Sequence, residues 1–171
     1  GAYEIEMQGT DQEGQFFTEI RNVRILSDVT PEKWKLEIVR RFPHNESSFT
    51  QGLSFSGEQM YEGTGDPNQN GSSLVAKVNL NTGEIGQKIG LDATRFGEGI
   101  TILGDQIFQL TWLNHKCLVY NKETLELLKE FDYTTEGWGI CTDGKFLYMS
   151  DGSERIYVRN PKNFDIIKTI E

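Results

Sequence analysis

Short apolar runs follow one another along this chain, each closed by Gly, Asn, Asp or Pro within a few residues. Three of them can be laid over each other. Phe49-Thr50-Gln51-Gly52-Leu53 is followed by Tyr61, Phe96-Gly97-Glu98-Gly99-Ile100 by Phe108, and Glu136-Gly137-Trp138-Gly139-Ile140 by Tyr148. The glycine-to-aromatic spacing is 9 residues in all three. Midway in each lies a turn signal: Ser56-Gly57-Glu58, Gly104-Asp105 and Asp143-Gly144. Each segment therefore predicts strand, tight turn, strand. A further pair follows each one. Leu74–Asn79, Cys117–Tyr120 and Arg155–Arg159 lead into turns that open on Asn79, Asn121 and Asn160, and turn residues of this kind suit the link between a third strand and a fourth.

The repeat is thus four antiparallel strands, with a period of 47 residues from Gly52 to Gly99 and 40 from Gly99 to Gly139. A unit of that size matches a β-propeller blade. One small sheet cannot cover both its faces, but blades set side by side cover each other. A β-sandwich is the competing all-β architecture, but it needs no repeated spacing of this kind. From Trp34 to Glu171 there is room for about three blades, and closure takes at least about four, so residues 31–171 are expected to form a partial propeller. Residues 1–30 stand outside the repeat. Ala2–Met7 and Phe16–Leu26 read as two strands around the polar turn Thr10–Gly14, either the tail of a preceding β domain or an extra hairpin, with a linker at Thr30-Pro31.

Composition agrees with a packed β domain: 36% of residues are hydrophobic, 11% aromatic, and Gly (18) far outnumbers Pro (4). With 17 Lys and Arg against 26 Asp and Glu, the net charge of −9 argues against a nucleic-acid partner. No apolar run approaches the ~20 residues that span a bilayer. Cys117 and Cys141 each lie in an apolar run and are expected to be small buried hydrophobes, with a single bridge as the alternative. No His, Cys and carboxylate cluster has metal-ligand spacing, so no metal and no cofactor is expected.

The innermost strand of each blade brings equivalent positions into a ring. The residue before each repeat glycine is Gln51, Glu98 or Trp138: the framework repeats while this position changes. That is what a site on a symmetric scaffold looks like, and ordinary lining residues bonded to backbone or water are the plainer alternative. Glu98 lies between two glycines, which lets backbone approach a ligand closely. Phe49 and Phe96 take matched places in the core or as pocket walls. Trp112 falls where the other blades have Gly65 and Gly152, and its indole N–H needs a partner.

Together these segments resemble the metal-independent glutaminyl-peptide cyclotransferases of plants and bacteria. The matching stretches are Phe42-Pro43-His44, Phe49–Leu53, Glu62–Gly65, Phe96–Gly99, Leu110–Trp112, Gly137–Gly139 and Ser150–Ser153, in order from about Trp34 onward. The resemblance implies a five-bladed propeller that converts an N-terminal glutamine of peptides or proteins to pyroglutamate, releasing ammonia, without a cofactor. It implies Glu98 as the catalytic acid/base and Phe49, Gln51, Phe96, Trp112 and Trp138 as the substrate-binding residues. Family positions from later blades would fall beyond Glu171. It also implies a periplasmic or secreted location; a monomer is expected. The loop Asp66–Gly71 is longer and more polar than the resemblance leads one to expect. A non-catalytic propeller that binds a peptide or protein on its channel face is the alternative function. A sugar- or lactone-active propeller would call for metal-ligating carboxylates, which the sequence does not show.

Overall fold

The computed structural model describes residues 2–25 and 28–171. The chain divides into two compact units, Gly1–Val39 and Arg40–Glu171. In the first, β1 (Ala2–Thr10) pairs antiparallel with β2 (Phe16–Arg24) in continuous register from Ala2↔Arg24 to Thr10↔Phe16. The predicted turn forms because the Asp11 carboxylate accepts the N–H groups of Glu13 (2.9 Å) and Gln15 (2.8 Å). Strand β2 stops at Arg24; Leu26, expected to extend it, lies outside the described residues.

The second unit is three four-stranded meanders. The first holds β3 (Thr50–Ser56), β4 (Gln59–Thr64), β5 (Leu74–Val78) and β6 (Ile85–Gly90). The second holds β7 (Gly97–Leu103), β8 (Gln106–Thr111), β9 (Lys116–Asn121) and β10 (Leu127–Asp132). The third holds β11 (Ile140–Thr142), β12 (Leu147–Ser150), β13 (Ile156–Arg159) and β14 (Ile166–Ile170). In each, strands pair antiparallel in chain order, and no described strand crosses to another sheet. These are successive propeller blades, and the sandwich alternative fails on that connectivity.

Burial explains the repeat. Successive side chains of a strand point to opposite faces. On β8, Ile107 joins Tyr61, Val75, Ile100 and Leu118 between the first and second sheets. Its neighbour Phe108 joins Tyr133, Leu147, Met149 and Tyr157 between the second and third. The middle sheet is therefore covered on both faces, and Ile107 and Phe108 are both fully buried. Truncating a side chain like Phe108 to Ala would cost about 3–5 kcal/mol.

The outer turns follow one plan. Asn79 Oδ1 accepts from Asn81 N (2.9 Å), Asn121 Oδ1 from Glu123 N (2.8 Å) and Asn160 Oδ1 from Lys162 N (3.0 Å). Each turn closes four residues on with a positive φ, at Gly83, Leu125 and Phe164. Leu125 and Phe164 accept that backbone cost because their side chains are almost wholly buried.

One expectation fails. Cys117 is buried and free, but Cys141 is free and exposed. On the short strand β11 the buried position is taken by Ile140, and alternation turns Cys141 outward.

Candidate active site

Gly52 and Gly99 explain how the inner strands come together. A Cβ on Gly52 would collide with the backbone N of Ile100 in the next blade, and one on Gly99 would lie 2.7 Å from the carbonyl oxygen of Trp138. Gly99 N–H in fact donates to that carbonyl at 2.9 Å. The repeat glycine is required because neighbouring inner strands meet backbone to backbone, which sets the residues just before it side by side. Gln51 and Glu98 lie on β3 and β7; Trp138 sits just before β11, held by Trp138 N–H to Ser150 O at 3.1 Å.

Glu98 is half-buried. Its desolvation pushes the carboxyl up to about 7, a hydrogen bond with the Gln51 side chain works the other way, and the negative charge of Glu136 adds to the rise. Gln51 and Glu98 are thus brought together, as the sequence leads one to expect.

The aromatic residues form a connected wall. Phe96 meets Phe49 edge-on at 6.2 Å between ring centres and Trp112 at 5.8 Å, favourable quadrupole geometry in both cases. The matching backbone bonds, Gly65 N–H to Phe49 O (2.9 Å) and Trp112 N–H to Phe96 O (3.0 Å), tie each ring to the end of the neighbouring second strand. Phe49, Trp112 and Trp138 remain 48%, 38% and 49% exposed, so the wall is open to solvent and not part of the core. The position shared by Gly65, Trp112 and Gly152 is a socket for an aromatic ring. Phe96 fills the space that a side chain at residue 65 would need, Trp138 lies 2.9 Å from where one at residue 152 would begin, and Trp112 provides its own ring.

The partner of the Trp112 N–H is Glu136. Trp112 Nε1 donates to Glu136 Oε2 at 2.8 Å, and Trp138 Nε1 donates to the same oxygen at 2.9 Å. Sequence reasoning placed Glu136 in the repeat but gave it no role. The signal was there: it stands two residues before Trp138, where the other two blades have Phe49 and Phe96.

A cavity of about 260 Å³ opens beside Phe96 and Trp112, bounded also by Asp66, Arg95, Leu113 and Asn114. The unexpected polar loop forms one side of it and is well tied: the Asp66 carboxylate accepts from Gly71 N (2.5 Å), Ser72 N (3.1 Å) and Ser72 Oγ (2.9 Å). A larger cleft of about 1720 Å³ runs over the first sheet past Phe55, Leu74 and Val78, but none of Gln51, Glu98, Trp112 and Trp138 lines it. Among the described residues no three His, Cys, Asp or Glu side chains converge as a metal-binding group. No helix among them is long and apolar enough to cross a membrane.

The sequence profile of the glutamine cyclotransferase family matches residues 15–171. A glutaminyl-peptide cyclotransferase of Arabidopsis thaliana is 39% identical over 134 residues, which is 77% of this chain and 41% of the relative. Among solved structures, the glutaminyl cyclase of Myxococcus xanthus superposes with a TM-score of 0.71 at 25% identity, over 79% of this chain and 56% of that one. BamB from Moraxella catarrhalis shares the fold alone, with a TM-score of 0.53 at 12% identity over 75% of this chain and 38% of that one. The chain therefore spans about half the length or less of the cyclotransferases it matches, and it belongs to the glutamine cyclotransferase family.

Proposed function

We propose that this chain carries the acid/base half of a site that cyclises the N-terminal glutamine of peptides or proteins to pyroglutamate. The observation that carries the reading is Glu98: a half-buried carboxyl that desolvation lifts to about 7, two residues after Phe96 of a solvent-open aromatic wall.

Cyclisation needs a neutral amine nucleophile and a protonated leaving nitrogen. The substrate α-amine attacks the carbon of its own γ-carboxamide, forming the ring C–N bond of a five-membered lactam. The carboxamide C–N bond then breaks and ammonia departs. The ionised Glu98 takes a proton from the attacking nitrogen and returns it to the leaving one, so it ends the cycle as it began. A carboxyl that titrates near neutrality is matched to both transfers. Gln51, beside Glu98, is suited to orient the carboxamide. Phe49, Phe96, Trp112 and Trp138 would exclude water and hold the folded-back side chain near attack geometry. The Trp112 N–H is engaged by Glu136, so its part in this reading is that of a wall. The family resemblance further supports an exported protein that acts without a metal.

The test incubates the full-length protein carrying this sequence, and the 171-residue chain beside it, with a short peptide beginning in Gln, with and without a chelator. Chelator-resistant loss of one ammonia by mass spectrometry, above the spontaneous rate, is the expected result. No cyclisation in either sample would overturn the reading in favour of a binding scaffold.

A further inference from the structure

Glu136 lies among the pocket aromatics, and the reaction outlined above assigns it no step. One of its oxygens, Oε2, accepts the indole N–H of both Trp112 and Trp138, at 2.8 and 2.9 Å. These two residues come from different blades: Trp112 directly follows β8 of the second, and Trp138 precedes β11 of the third. Their backbones are tied at the same place, with Gly137 N–H donating to Trp112 O at 3.1 Å. An indole N–H is a donor with no acceptor capacity, so two of them converging on one carboxylate oxygen fix both ring planes at once. Gln in place of Glu136 would retain one acceptor oxygen without the charge.

Resting on the cyclotransferase reading and deepening it, we propose that Glu136 is a positioning residue, a fixed anion that locks the Trp112 and Trp138 walls through their N–H groups and faces Glu98 with a like charge. The two carboxylates then divide the work. Hydrogen bonds from Trp138 and then Trp112 hold the Glu136 carboxyl below its ordinary range, so it stays charged. Burial, aided by that charge, holds Glu98 above its own. Pairs of carboxyls driven apart by their surroundings are a common basis for acid/base assignment. The other charged groups facing Glu136 are Asp151, which opposes its ionisation, and His115, which favours it; Asp151 is itself held low by Ser153 and Tyr157. Glu98 faces Gln51 and Glu136.

The experiment compares wild type, Glu136→Gln and Glu136→Ala in the full-length protein, by two readouts. The first is acrylamide quenching of tryptophan fluorescence, which needs no turnover. Trp34, which is exposed, and any tryptophan in the rest of the protein contribute a background common to all three proteins, and both variants are expected to quench more strongly than wild type, Glu136→Ala the more so. The second is the pH profile of kcat/KM for a Gln-initiated peptide. Loss of the like charge is expected to move the acid limb to lower pH by a few tenths of a unit or more in both variants. KM is expected to rise more in Glu136→Ala than in Glu136→Gln, because only Gln keeps an acceptor. Unchanged quenching together with an unmoved acid limb, in variants that fold and in a wild type that cyclises, would overturn the inference. A wild type without cyclisation overturns the cyclotransferase reading instead, and the quenching arm then decides the Glu136 inference by itself.

Discussion

Glu62 on β4 and Glu98 on β7 are both carboxylates drawn out of water in neighbouring blades, and they differ in what surrounds them. Glu62 is completely buried and fully partnered. Its Oε1 accepts from Thr50 Oγ1 at 2.5 Å and lies 2.9 Å from His44 Nε2, and its Oε2 accepts from Ser48 Oγ at 3.4 Å. The knot fastens the segment that leads into β3 onto the second strand of its blade. Glu98 is less buried, but it is left with Gln51 and a like charge nearby. Burial with partners makes a carboxylate part of the frame; burial without them stores a proton affinity that chemistry can use.

The largest expected effect comes from removing the acid/base group on the reactive side of this comparison. Glu98→Gln should lower kcat by about 10²–10⁴-fold while circular dichroism matches wild type and the thermal transition is no lower. A stable Glu98→Gln protein with full turnover would erase the distinction. On the framework side, Glu62→Ala strands three polar partners and should cost about 2–3 kcal/mol of stability, read from the urea midpoint. If it instead left stability untouched and removed only activity, the two glutamates would have to exchange roles.

The smallest effects sharpen the comparison through pH. On the acid side, kcat/KM should fall about tenfold per unit below pH 7, as Glu98 takes up its proton. The same group affects stability with the opposite sign to a salt-bridged carboxylate. Between its ordinary value of 4.5 and about 7, the folded protein holds a proton that the unfolded chain has released. Stability from this group is therefore present at low pH and is lost as pH rises through that window. Glu98→Gln removes the loss, so its melting temperature should gain on wild type between about pH 5 and pH 8. Parallel melting curves for the two proteins across that range would show that Glu98 is not perturbed by folding.

Much of this was legible in the sequence because the repeat is physical. A glycine where two inner strands meet leaves the same trace in each blade, and so does an Asn that caps an outer turn. Gln51 and Glu98 could be found as the changing residue in an unchanging frame. What could not be read was anything that depends on a partner across blades. Glu136 looked like repeat because its meaning lies in two indoles, 24 and 2 residues away along the chain. Cys141 was misjudged because β11 has only three residues, too few for alternation to show which of them faces inward. The Glu62 knot was equally silent: His44 and Ser48 look like loop residues, and Thr50 like any strand residue, until the buried carboxylate between them is seen.

The ring socket at Gly65, Trp112 and Gly152 bears on how such a protein can change over time. Its walls in two blades are backbone, so a copied blade inherits a vacancy of the right shape without inheriting any chemistry. A single substitution at the position before the repeat glycine adds or removes a functional group, whereas a side chain at Gly65 or Gly152 must displace the ring already seated there. The scaffold can therefore be duplicated first and given meaning later, one residue at a time, which suits a fold that also appears at 12% identity in BamB.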